Sequence, residues 1–303
     1  MKVVVLSGGV GGARFLRGLV DVVDPSDVTV IGNVGDDLDV LGLAVSPDLD
    51  SILYALTGLA DEERGWGRAD ETWNALETVE SLGGESWFRL GDRDLGLHLV
   101  RTQTLRGGGT LTQATRTIAE ALGLSLTLLP ATDDPLRTWI HTPAGAFPFQ
   151  TWFVERGHRD EVDAVRYDGV ENAKPAPGTI EALDGADLIL FAPSNPYVSI
   201  GPILAVAGIE DAIRRRTAPA VAVSPLIGGR AVKGPADRML ARLAGGTTPA
   251  HVASCYGDLI DVLVVDEADA RDVENLAVRP VVTKTLMSDR EARRRLAEAV
   301  LAA

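Results

Sequence analysis

Hydrophobic positions along the chain fall into two rhythms. Val3-Val4-Val5-Leu6 is apolar without interruption, as expected of a strand buried on both faces. Short runs of the same kind recur at Val28-Thr29-Val30-Ile31, Leu188-Ile189-Leu190-Phe191, Ala220-Val221-Ala222-Val223, Val262-Leu263-Val264-Val265 and Val281-Val282-Thr283. Between them the spacing changes to three and four. Phe15, Leu16, Leu19, Val20 and Val23 make a helical stripe across Ala13 to Val23, ended by Asp24-Pro25-Ser26. Ile52, Leu53, Ala55 and Leu56 do the same behind Ser46-Pro47, which reads as a cap followed by a first-turn proline. Helices are also predicted from Ile203 to Arg216, from Ala236 to Leu243 and from Asp289 onward.

The alternation is interrupted in the middle of the chain. Asp61 to Gly67 reads as a polar loop and Glu71 to Leu82 as a helix. A helical stretch begins at Trp87 and breaks at Gly107-Gly108-Gly109, and another helix runs from Thr112 to Leu122. Leu126 to Leu129 and Thr138 to His141 read as strands flanking Pro130 to Pro135. Strand, loop and helix in repetition predict an α/β protein: a Rossmann-like, doubly wound, mostly parallel sheet with an inserted, largely helical subdomain. The expected division is a nucleotide-binding core at 1–60 and 175–303 and an insert at 61–174.

Composition narrows the partners. The 303 residues, 46% of them hydrophobic, can fill a large interior. With 43 acidic against 29 basic residues the net charge is −14, which argues against nucleic acid or an anionic membrane as partner. No apolar run has the length of a membrane span, and the first strand is too short for a signal peptide. The single cysteine, Cys255, cannot form an internal disulfide, so a cytoplasmic location is expected. His98, His141, His158 and His251 lack metal-ligand spacing, which disfavours zinc.

Candidate chemistry gathers after the strands. Gly8-Gly9-Val10-Gly11-Gly12 follows the first strand directly, and four glycines in five residues let a backbone approach a phosphate at a helix N-terminus. The alternative is a tight turn joining strand and helix. The dinucleotide pattern fails, because reading from Gly9 it needs glycine where Arg14 stands, and the second strand ends in Ile31-Gly32-Asn33 without a ribose-binding carboxylate. A P-loop fails too, for want of Gly-Lys-Ser/Thr. The remaining reading is a mononucleotide or nucleotide diphosphate held by backbone N–H groups, with help from Arg14.

Beside this cradle the sequence places Asp36, Asp37, Asp39, Asp48 and Asp50. Carboxylates repel phosphates unless a divalent cation lies between them, and Mg²⁺ takes one or two carboxylates plus phosphate oxygens. Asp39 could equally be solvated, and Asp48 could simply favour its helix N-terminus. Two further loops follow strands: Pro193-Ser194-Asn195-Pro196, and Ser224 to Pro235, which carries Gly228, Gly229 and Lys233, one of four lysines. Either could be an ordinary turn.

Taken in order, several motifs resemble the 2-phospho-L-lactate transferases of deazaflavin coenzyme F-420 biosynthesis. They are Leu6-Ser7-Gly8-Gly9 with Gly11, Asn33-Val34-Gly35-Asp36-Asp37, Ser46-Pro47-Asp48-Leu49-Asp50, Leu90-Gly91-Asp92-Arg93-Asp94, Pro130-Ala131-Thr132-Asp133-Asp134, Ala192-Pro193-Ser194-Asn195-Pro196 with Ser199-Ile200-Gly201, and Ser224-Pro225 before Gly234. Gly11-Gly12-Ala13-Arg14, Arg64-Gly65-Trp66-Gly67 and Asp70-Glu71-Thr72-Trp73 look like the bacterial branch.

The resemblance implies transfer of a phospholactyl or phosphoenolpyruvyl group from a guanosine diphosphate-linked donor to the terminal ribityl hydroxyl of the deazaflavin FO, releasing GMP. It implies donor contacts at Gly9, Val10, Gly11, Gly12, Ser194 and Asn195, with Gly228, Gly229 and Lys233 toward the nucleoside. Asp50 would be catalytic, and Asp36, Asp37, Asp48 and Asp50 are the candidate Mg²⁺ ligands. Arg89, Asp92 and Arg93 would serve FO. Trp66 and Trp87 would offer flat faces to its ring or form the insert's core. A homodimer is implied as well. The alternative is a non-catalytic nucleotide-sugar-binding regulator of the same superfamily, which needs neither Ser46-Pro47-Asp48-Leu49-Asp50 nor an FO-binding insert.

Overall fold

The computed structural model describes residues 1–274 and 276–303. The chain opens with β1 (Val3–Ser7), α1 (Gly9–Leu19) and β2 (Val28–Gly32); a small antiparallel hairpin, β3 (Leu38–Val40) and β4 (Leu43–Val45), then leads into α2 (Pro47–Leu56). Three helices, α3 (Asn74–Ser81), α4 (Asp92–Arg106) and α5 (Leu111–Ala121), precede β5 (Thr127–Pro130). β6 (Arg137–Thr142), β7 (Gly145–Pro148) and β8 (Ala164–Asp168) make a separate antiparallel sheet. Next come α6 (Thr179–Asp184), β9 (Leu188–Phe191), α7 (Gly201–Ala205), α8 (Ile209–Arg214) and β10 (Ala220–Val223). The hairpin β11 (Leu226–Ile227) and β12 (Arg230–Ala231), α9 (Ala236–Leu243), α10 (Pro249–Ser254), β13 (Val262–Asp266), β14 (Arg279–Thr283) and α11 (Arg290–Leu301) complete the chain.

Seven strands form the central sheet in the order β14-β13-β10-β9-β1-β2-β5, every neighbouring pair parallel. The chain starts in the middle with β1, winds outward through β2 and β5, and returns to β9 on the other flank of β1. The order therefore reverses between β1 and β9, and it is at the carboxyl ends of strands beside such a reversal that sheets of this kind bind ligands. All residues of β1 and β9 are buried, which is why they read as uninterrupted apolar runs. Full burial of side chains such as Leu6, Ile31 and Phe191 contributes about 2 kcal/mol each.

The α/β expectation holds, and several boundaries move. α1 begins inside the glycine stretch at Gly9 and ends at Leu19, so the first helical turn is built of the glycines themselves. The helix expected over 203–216 is two helices, because Gly208 takes a left-handed φ of +87° between them. Trp87 lies before α4, which starts only at Asp92, where Glu71 accepts hydrogen bonds from the backbone N–H groups of Arg93 and Asp94. Residues 61–174 are largely helical as far as α5, with one short π-helical turn, Thr151–Glu155, beyond it. They then give β5 to the central sheet, pairing with β2 from Thr29–Thr127 to Gly32–Pro130, and build the β7-β6-β8 sheet over Ile140, Phe149 and Trp152. A strand that pairs with a partner about a hundred residues earlier leaves no local trace of which sheet it joins.

Candidate active site

At the carboxyl end of β1 the backbone turns through Gly8, extended, into Gly9, whose φ is +69°. Ser194, from the loop after β9, donates its hydroxyl to the Gly8 carbonyl at 2.7 Å. A Cβ on Gly12 would lie 2.8 Å from Ser194 Oγ and collide with the Ser7 hydroxyl; one on Gly8 would strike the Asp48 carboxylate and come within 2.9 Å of Ser199 Cβ. Glycine is thus required here because two loops and a helix converge on the turn. Gly9, Val10 and Gly11 remain partly exposed, as a ligand cradle needs, and Gly12 is buried behind them. Asn195 is brought to the same loop, but its side chain is engaged locally, accepting from Tyr197 N–H at 2.9 Å and donating to Met239 Sδ at 3.3 Å.

The acidic side is organised by Asn33, a fully buried residue at the end of β2. Its side-chain amide donates to Asp48 Oδ2 at 2.9 Å, to Asp36 Oδ1 at 3.2 Å and to the Val198 carbonyl at 3.1 Å. Its own carbonyl accepts from Gly35 N–H. Gln150, delivered by the chain leaving β7, donates to the other oxygen of Asp36 at 2.9 Å. Asp48 accepts from the Gly9 backbone N–H, which ties this wall to the glycine turn.

Burial, then repulsion from Asp48 and Asp37, pushes Asp36 well above the usual carboxylate range. Burial raises Asp48 to about 6 against the opposing hydrogen bond from Asn33, and raises Asp37 to about 7. Ser46, expected to cap α2, instead donates its hydroxyl to Asp37 at 2.9 Å, and the helix start relies on Pro47.

Asp50 stands in a different environment. Both its oxygens accept from the guanidinium of Arg101, a residue of α4 with no solvent exposure. Arg101 also contacts His98 Nδ1 at 3.1 Å; His98 Nε2 faces Asp94 at 3.6 Å, and Tyr54 donates its hydroxyl to Asp94. Asp94, His98 and Arg101 recur at spacings of four and three, a polar stripe on an otherwise unremarked helix that would have revealed the network. Asn33 and Gln150, also missed as site residues, have no comparable signal.

Other expected contacts are placed elsewhere. Asp92 is consumed in capping α3, accepting from Thr72, Asn74 and the Ala75 N–H, and these bonds hold its carboxyl well below the usual range. Arg93 is exposed, 3.9 Å from Asp70. The Arg89 guanidinium lies 4.6 Å from the Trp73 ring, whose other neighbour, Arg64, also contacts Trp66. Trp66 is 46% exposed, while Trp87 packs edge-on to Phe88. Gly228 and Gly229 form the two-residue turn of the β11-β12 hairpin with positive φ, and both N–H groups donate to Asp269 at 2.9 Å. The Lys233 ammonium and the Arg14 guanidinium both lie against Gly65 of the 61–67 loop.

The donor set fits a divalent cation at Asp36 and Asp48. These two buried carboxylates meet at one amide, and among the described residues neither has an ion-pair partner. Asp50, already neutralised by Arg101, does not share that need. Among the described residues no three His, Cys, Asp or Glu side chains form a ready-made cage.

Known proteins bear on this site. A protein of the UPF0052 family from Bacillus halodurans shares the fold with a TM-score of 0.67 over 99% of this chain and 100% of its own, at 18% identity. Proteins named phosphoenolpyruvate transferase are 45% identical in Kitasatospora aureofaciens (100% of this chain, 97% of that protein), 44% in Streptomyces coelicolor (99% and 97%) and 40% in Mycolicibacterium smegmatis (96% and 95%). The sequence profile of 2-phospho-L-lactate transferase CofD matches residues 3–302. With the glycine turn, the buried acids and the reversal of strand order all within that length, the chain belongs to the 2-phospho-L-lactate transferase CofD family and is a transferase of coenzyme F-420 biosynthesis.

Proposed function

We propose that this transferase moves a phosphoenolpyruvyl group from a guanosine diphosphate-linked donor to the terminal ribityl hydroxyl of the deazaflavin FO and releases GMP. The observation that carries the reading is the meeting, at the reversal of strand order, of a backbone cradle with a pair of buried, unneutralised carboxylates, Asp36 and Asp48. The enolpyruvyl donor is preferred over the lactyl one because relatives at 40–45% identity carry the name phosphoenolpyruvate transferase.

In this reading the partly exposed N–H groups of Gly11 and Val10 and the α1 N-terminus hold the diphosphate, and Arg14 and Lys233 neutralise its outer oxygens. Mg²⁺, held by Asp36 and Asp48, supplies charge neutralisation for the phosphate oxygens. Asp50 faces the acceptor: each oxygen engaged by Arg101 keeps a second lone pair to receive the ribityl hydroxyl's proton. The hydroxyl oxygen attacks the phosphorus bearing the three-carbon acid, and the phosphoanhydride bond breaks. GMP departs with the electron pair, and the proton passes through Asp50 to water. Positioning and electrostatics dominate such a displacement. A homodimer in the cytoplasm is part of the same reading.

The test is incubation of the protein with FO, Mg²⁺ and each of the two donors, followed by mass spectrometry of the deazaflavin. Phosphoenolpyruvylated FO with stoichiometric GMP is expected. A product from the lactyl donor alone would reassign the donor, and no product from either would sink the reading.

A further inference from the structure

Asp50 and Tyr54 lie one turn apart on α2, and Asp94, His98 and Arg101 lie on one face of α4. Hydrogen bonds join Asp50 to Arg101, Arg101 to His98, and Tyr54, back on α2, to Asp94, while His98 Nε2 stands 3.6 Å from Asp94 without a hydrogen-bond partner among the described residues. To accept from Arg101, His98 Nδ1 carries no proton, so the ring's hydrogen is on Nε2, the nitrogen 3.6 Å from Asp94. Arg101 also reaches the Ala44 carbonyl at 3.4 Å. All five side chains are buried. A buried ion pair gains little net stability over an apolar replacement, because desolvation consumes the attraction. What a forked guanidinium on both oxygens does fix is the plane of the carboxylate.

We infer that Arg101 is a positioning residue of the transferase, orienting the Asp50 carboxylate toward the acceptor hydroxyl, and that His98 holds Arg101 in place for that task. The inference rests on the proposed role of Asp50. Arg101 has no solvent exposure and directs both terminal nitrogens at Asp50, so its effect passes through that carboxylate and not through substrate. Lysine in its place keeps the charge but offers a point donor in place of the fork, freeing the carboxylate to rotate. A misplacement of an ångström at a reacting group costs about 100-fold in rate.

The experiment compares Arg101→Lys, His98→Gln and Asp50→Asn, reading kcat, KM for donor and for FO, and the melting temperature of each. Arg101→Lys is expected to lower kcat about 100-fold while leaving the donor KM unchanged, and His98→Gln to lower kcat by a smaller factor at an unchanged melting temperature. Wild-type kcat in both Arg101→Lys and His98→Gln, with Asp50→Asn inactive, overturns the inference and leaves the function standing. A raised donor KM with kcat preserved also overturns it, since Arg101 would then bind substrate. Normal turnover by Asp50→Asn removes the role of Asp50 itself. Should Arg101→Lys fail to fold, the kcat of His98→Gln decides alone.

Discussion

Two buried carboxylate sites are built from the loop after β2 and the first turn of α2 and differ in what balances their charge. Asp50 has a guanidinium on both oxygens. Among the described residues, Asp36 and Asp48, joined to it through the same loop and helix, are met by the amides of Asn33 and Gln150 and by backbone N–H groups, and by no cation. The first site is complete within the protein. The second carries repulsion that protons or a cation must relieve, and its members are accordingly raised, Asp48 to about 6 and Asp36 well beyond the usual range. Family resemblance alone groups all four aspartates as metal candidates. The difference in partners separates a pair left without a balancing cation among the described residues from a carboxylate gripped by a guanidinium.

The comparison breaks most sharply at Asp50. Asp50→Asn keeps the shape and one acceptor for Arg101 but loses the charge and the proton acceptor, and turnover should fall by about 1,000-fold with Mg²⁺ binding retained. Steady-state rates together with calorimetric titration of the cation check both halves. If cation affinity disappears with Asp50 and survives in Asp48→Asn, the two sites have been assigned the wrong way round. Next in size, Asp48→Asn or Asp36→Asn should weaken the cation by about 100-fold, given that even residues behind a ligand cost 10- to 100-fold. Mn²⁺ titration followed by electron paramagnetic resonance measures this without reliance on activity.

A smaller effect comes from pH. The folded carboxyls of Asp37 and Asp48 hold protons up to about 7 and about 6, whereas the unfolded chain releases them near 3.8. The folded state therefore binds more protons across this window, and their contribution to stability, full below pH 3.8, is lost as pH rises through 6 to 7. Metal-free protein should melt at a lower temperature at pH 8 than these groups allow at pH 5. Asp37→Asn should recover part of the loss at pH 8 and change little at pH 5. An equal shift at both pH values in scanning calorimetry would contradict the sign. Least of all, Asp92→Asn should lower the melting temperature modestly by loosening the α3 cap, with KM for FO unchanged. A selective rise in that KM would return Asp92 to the acceptor site.

Much of this was readable one segment at a time. The glycine turn, the acidic loop after β2 and the Ser-Asn loop after β9 all follow runs whose apolar rhythm marks them as strands, and in a parallel sheet the carboxyl ends share one edge. At Gly228, Gly229 and Asp92 the structure adds what the motifs do not state, a partner within the chain: Asp269 for the glycine turn and the α3 N-terminus for Asp92. A motif reports a residue's chemistry but not whether a neighbour distant in sequence has already satisfied it.

The sequence by itself determined the alternation of buried strands and covering helices, the backbone cradle, and which side chains could bear charge, since each depends on spacing within a few residues. Only the tertiary structure decided that β5 closes the sheet beside β2, and that Asp50 is neutralised by an arginine 51 positions away while Asp36 and Asp48 are not. Those outcomes depend on which helices pack face to face, and the energy of a buried charge is set by the partners that packing delivers.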